Sequence, residues 1–210
     1  GYDNLSKIQR IVPESVIPKL NLLETTLINF ADENKGKVIP SRVDGKHAGI
    51  ITIDEIFRGY AERLGNRAQD IKEIPLNFKE MREAIRNDRL SDLMYQSIST
   101  MSVEANIADD IRHQFRSEIE EYDIEITDDY VGSSTMPHKI NPKDFENVKS
   151  FWKAFSPRVM TALFGQITEH QGDSTNEFLA DTIFESFAGL TYTTGKLNKA
   201  IQNLKFKDKN

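Results

Sequence analysis

The chain has 210 residues, 38% hydrophobic and 29% charged, with a formal net charge of −6. That composition supports a packed core and argues against a nucleic-acid-binding footprint. It has no cysteine and four histidines, which excludes disulfides, thiolate metal sites and cysteine nucleophiles and leaves little for a histidine-rich metal centre.

No apolar run approaches the roughly 20 residues of a membrane span. The opening Gly-Tyr-Asp carries no basic-then-apolar targeting pattern. The expectation is a cytoplasmic protein with no cofactor and neither nucleic acid nor membrane as a partner. Val16, Leu20, Leu23, Leu27 and Phe30 recur at steps of four and three, one stripe of an amphipathic helix. Gly36 lies just past it as a stop. From about Lys37 to Ile51 the glycine, proline and charge read as a loop. Thr52-Ile53-Asp54-Glu55 is a capping box, the threonine hydroxyl and glutamate carboxylate each satisfying an orphan amide. The helix it opens carries Ile53, Ile56, Phe57, Tyr60, Leu64 and Ile71 on one side, and Pro75 ends it.

A shorter helix starts at Asn77, with Phe78, Met81 and Ile85 as its apolar positions. A long one follows through Met94, Ile98, Met101, Ala105, Ala108, Ile111, Phe115 and Ile119. The charged stretch from Glu120 to Pro142 interrupts the helices. Asp144 then caps a helix carrying Phe145, Val148, Trp152, Phe155 and Val159, which Pro157 kinks or ends. Ile183, Phe187 and Leu190 begin another helix, whose apolar face Leu197, Ile201 and Leu204 continue. Residues 205–210 read as a polar, frayed tail. No period-2 strand pattern stands out, so the expected fold is all-α, an elongated bundle of long helices whose apolar stripes favour association with other copies.

The densest chemistry lies in Gly132-Ser133-Ser134-Thr135-Met136-Pro137-His138-Lys139-Ile140-Asn141, closed by Pro142. Taking a proton from a carbon beside a carboxylate builds a dianionic aci-carboxylate, which a cation and hydrogen-bond donors at the carboxylate oxygens stabilise selectively. Lys139 supplies a point charge and Asn141 an amide donor; Ser133 and Ser134 supply hydroxyls. A serine acts as a base only in a dry, cationic setting. Gly132 lets such a loop open and shut. The structural alternative is a polar surface segment leading into a helix.

This run resembles, nearly letter for letter, the GSSxMPxKxNP loop of the fumarase/aspartase superfamily of lyases. With Asp144-Phe145-Glu146-Asn147 after it, it is most similar to the adenylosuccinate lyase branch. Three more segments resemble that branch: Ile107–Arg112 with Arg116–Glu121, Ser41–Ala48 with Thr52, and His170-Gln171-Gly172-Asp173. The resemblance implies anti β-elimination from a small anionic succinyl substrate, releasing fumarate and an amine. It casts Ser133 as the base, with Ser134, Met136, Lys139 and Asn141 on the substrate and Arg42 and His47 beside it. It also implies a homotetramer whose active sites are each built from three subunits, and a role in purine biosynthesis. Residues 1–204 would be the central helical domain, without the family's flanking N- and C-terminal domains.

Asp44 stands where the family carries its general-acid histidine. An aspartate takes that role only if burial or a neighbouring carboxylate raises its pKa strongly. Otherwise it is a turn aspartate, with His47 and His170 as the alternative acids; His113, among helix charges, reads as structural. Gly172 replaces an arginine of the family's nucleotide segment, and Glu177 and Asp181 fall near its phosphate contacts. Carboxylates repel phosphate. Two further readings therefore stand beside the first: a lyase for a non-nucleotide succinate derivative, and a catalytically silent structural or regulatory paralogue.

Overall fold

The computed structural model describes residues 2–126 and 141–208. Helix α1 (Tyr2–Ile11) passes through a π-helical turn, Val12–Val16, into α2 (Ile17–Glu33). The reason is two prolines. Pro13 and Pro18 lack an amide hydrogen and crowd the preceding turn, and widening one turn accommodates them without breaking the helix. The Ile17 amide accordingly donates to Val12, five residues back, while Ile11, Val16 and Ile17 all keep right-handed helical dihedrals. The predicted stripe from Val16 to Phe30 is buried along its length.

The expected loop at 37–51 is instead a β-hairpin. Strand β1 (Val38–Val43) pairs antiparallel with β2 (Lys46–Thr52), with a register shift between Ser41 and Arg42. The two-residue turn Asp44-Gly45 has φ of +51° and +74°. Both angles suit a type I′ turn, for which Asp-Gly is a favoured pair. The strand signal is weak because a bulge breaks the alternation and a proline sits in β1.

Thr52 opens α3 (Ile53–Lys72) with the predicted capping box: its hydroxyl accepts from the Glu55 amide at 3.3 Å, and the Glu55 carboxylate accepts from the Thr52 amide at 2.9 Å. The expected helix at Asn77 is only a 3₁₀ turn, Phe78–Glu80, and Ile85 is exposed. Helix α4 (Glu83–His113) starts ahead of the apolar series and stops before its last two members, so Phe115 and Ile119 lie beyond its end. Strand β3 is Tyr122–Ile124. Helix α5 (Lys143–Phe155) starts after Pro142, with no side-chain cap; Asp144 instead pairs with Lys196 at 3.2 Å. Pro157 ends α5 as anticipated, in a 3₁₀ turn that leads to α6 (Met160–Phe164). Helix α7 (Leu179–Gln202) is followed by β4 (Leu204–Phe206), which pairs with β3. The start of the expected frayed tail is therefore held, with the Phe206 ring edge-on to Tyr122 at 6.0 Å.

Helices α2, α3, α4 and α5 run alternately up and down, with α7 beside α2, α4 and α5. Two cores sit one above the other. The first joins α1, the start of α2, the end of α3 and the first halves of α4 and α7. The second joins the end of α2, the start of α3, the ends of α4 and α7, the start of α5 and the two small sheets. This is an elongated all-α bundle, and its length separates two sets of polar residues.

Candidate functional site

The hairpin folds over the C-terminal end of α4 and encloses a cavity of about 720 Å³. Its polar wall holds Arg42 and His47 from the hairpin, Tyr60 from α3, and Asp110, His113 and Arg116 from α4 and the residues after it. Arg42 and His47 are opposite each other in the strand register, which brings both to one mouth. Arg42 makes a two-pronged ion pair with the buried Glu121 (Nη1–Oε2 3.0 Å, Nη2–Oε1 2.6 Å). Such forks fix geometry as well as charge. Donating to the Glu121 carboxylate raises the Arg42 pKa, so Arg42 is always charged, yet that charge is already matched. Arg116 is exposed and has no ion-pair partner among the described residues. It leaves the cavity mouth with an available cation.

The Tyr60 hydroxyl donates to Asp110 at 3.2 Å. Burial, above all, pushes the Tyr60 phenol up, with the Asp110 charge adding to it. Burial also raises the Asp110 carboxyl above the usual carboxylate range, against the Tyr60 hydrogen bond. A carboxyl of this kind retains its proton more readily than an ordinary aspartate. Tyr60, Asp110, His113 and Arg116 were not singled out as site residues by the sequence. The signal was slight: Asp110 and Arg116 lie within the quoted Ile107–Glu121 resemblance, but nothing local distinguishes them from other helix charges.

Asp44 is exposed at the tip of the turn and does not line the cavity. An acid role needs burial, whereas the turn alone accounts for an aspartate at positive φ. Ser133, Ser134, Met136 and Lys139 lie outside the described residues. The two ends of that segment are placed. Glu125 donates its amide to Asn203 at 2.8 Å, and Asn141 leads into α5, where the Phe145 ring meets Phe115 at 6.2 Å. Asn141 therefore stands at the same end of the bundle as Arg42 and His47.

His170 does not. It is exposed, with φ +47°, in the segment between α6 and α7. Asp173 braces this segment by accepting from the amides of Glu169 and Thr175, each at 2.6 Å. Gly172 lies against Glu83, in the first turn of α4. Glu83 and Asp110 are 27 residues apart on that helix, about 40 Å at 1.5 Å per residue. One chain thus gathers Arg42, His47 and Asn141 at one end and holds His170 at the other. Among the described residues no cluster of three or more histidines, aspartates and glutamates could hold a metal ion, and no helix is long and apolar enough to cross a membrane.

Comparison with known proteins finds similarity to lyases. The family described as Lyase matches residues 78–154. Adenylosuccinate lyase from Pyrococcus abyssi is 31% identical over 70% of this chain and 34% of its own length. The Pyrococcus horikoshii adenylosuccinate lyase is 27% identical over 92% of this chain and 51% of its length. The chain thus spans between a third and about half of these two relatives. Among solved structures, the fumarate lyase:delta crystallin of Brucella melitensis superposes with a TM-score of 0.82, covering 97% of this chain and 55% of that one at 16% identity. That likeness concerns the fold.

Proposed function

We infer from its membership of the fumarase/aspartase superfamily of lyases, close to adenylosuccinate lyase, that this chain carries the proton-abstracting half of a C–N lyase site. The observation that carries the reading is the run Gly132–Pro142, which falls inside the Lyase match and leads into α5 at the cavity end of the bundle. Ser133 takes the proton from the carbon beside a substrate carboxylate. The electron pair left behind forms the carbon–carbon double bond, and the C–N bond breaks with its electrons on the amine. The products are fumarate and an amine, the latter protonated by an acid. Lys139 and Asn141 hold the carboxylate whose charge grows in the transition state, and Ser134, Met136, Arg42 and His47 complete its surroundings. Arg116 attracts the anionic substrate toward the cavity.

The acid is Asp44, His47 or His170. His47 faces the cavity from the same chain. Asp44 serves only where another surface buries it. His170 reaches a site of this kind only from a second copy, because about 40 Å of α4 separates it from Arg42 within one chain. The proposed assembly is accordingly a homotetramer with shared sites, acting in the cytoplasm, and in purine biosynthesis where the substrate is adenylosuccinate. The exposure of Asp44 favours one second reading, a silent structural paralogue. Fumarate formation from adenylosuccinate and from non-nucleotide N-succinyl amines, followed by ultraviolet absorbance, separates the two. Turnover of any of them supports the lyase; turnover of none supports the silent paralogue.

A further inference from the structure

A second cavity, about 140 Å³, lies at the far end of α4, where Leu5 of α1 and the residues leading into α7 close over it. Its polar wall is Glu83, Arg86 and Asn87 on one side and Asp173, Asn176 and Glu177 on the other. Asn87 is 3% exposed, and its amide nitrogen has no hydrogen-bond partner among the described residues. A buried donor left unpaired is costly, and a ligand acceptor would relieve that cost.

The charge here is negative. Three carboxylates face one guanidinium, and the Arg86–Glu83 pair is loose at 3.8 Å. The Glu177 carboxylate has no partner among the described residues. Asp173 is held below the usual carboxylate range by the Thr175 hydroxyl and by the amides of Glu169 and Thr175, so it stays ionised. Glu83 is seated against Gly172 so closely that a Cβ there would lie 2.1 Å from its Oε2. A side chain at position 172 would displace that carboxylate from the cavity wall.

We propose that this cavity binds a small organic cation: a primary ammonium held by Glu177 and Glu83, with a neighbouring oxygen that accepts from Asn87. The volume equals that of four or five waters at about 30 Å³ each, which suits a group of about that many heavy atoms. This binding does not rest on the function proposed above. Phosphate fails on charge at the same place.

Isothermal titration of the full-length protein with ethanolamine, and separately with inorganic phosphate, tests the proposal. Ethanolamine should bind saturably, and Glu177→Gln and Glu83→Gln should each weaken it about tenfold without changing the melting temperature. Phosphate should show no saturable binding. Absence of ethanolamine binding, equal affinity in Glu177→Gln, or preferential phosphate binding would overturn the proposal. Because the readout is binding, it is independent of fumarate release. A protein that binds ethanolamine but releases no fumarate fails only the lyase reading, and one that releases fumarate without binding ethanolamine fails only this one.

Discussion

Glu104 shows how far a single side chain can depart from its ordinary chemistry. It is fully buried between α4 and α7, where the hydroxyls of Thr193 and Thr194 each donate to it at 2.5 Å. Burial raises its carboxyl to about 7, against those two hydrogen bonds. The folded protein therefore holds this proton more tightly than the unfolded chain does. The stability it contributes is full below the unfolded value near 4.5 and is lost as pH rises through about 7. Glu104→Gln should remove that dependence, about 3 kcal/mol across the window, which urea melts at pH 4 and pH 8 measure. Arg42 makes a second case. Arg42→Ala would leave the buried Glu121 carboxylate without its partner and should cost about 3 kcal/mol, read in the same melts. Neither pairing was legible in the sequence: 79 residues separate Arg42 from Glu121, and 89 separate Glu104 from Thr193. Arg42 was read there only as a residue beside the substrate.

At the scale of elements, legibility follows range. The capping box at Thr52 and the stripe from Val16 to Phe30 are set by contacts within a few residues, and both were foreseen. The hairpin was not, although its Asp44-Gly45 turn is a local signal, because Pro40 and the bulge after Ser41 obscure the alternation. The β3–β4 pair is three residues on each side and joins segments some 80 positions apart, too short for any period to register. The hairpin places Arg42 and His47 together, so its turn can be tested directly. Gly45→Ala, at φ +74°, should cost about 1 kcal/mol. The loss should appear first as faster amide exchange along β1 and β2.

For the whole molecule, the length of the bundle matters most. Two cores stacked along α4 keep the hairpin cavity and the His170 segment apart, so no single chain brings all the proposed residues into one site. The residue types proposed for the site are legible in the sequence but this separation is not, since it depends on α4 continuing unbroken from Glu83 to His113. If sites are shared between copies and both Ser133 and His170 take part, Ser133→Ala and His170→Ala proteins should each be inactive. After co-refolding they should recover part of the activity, which a fumarate assay on the mixture detects. The central claim is that Ser133 removes the proton in a fumarate-forming elimination. Its most direct test is the rate of fumarate formation by the full-length protein and by Ser133→Ala on adenylosuccinate and on non-nucleotide N-succinyl amines. The account predicts turnover of at least one substrate and a loss of about a thousandfold in the variant; turnover that Ser133→Ala leaves unchanged would contradict it.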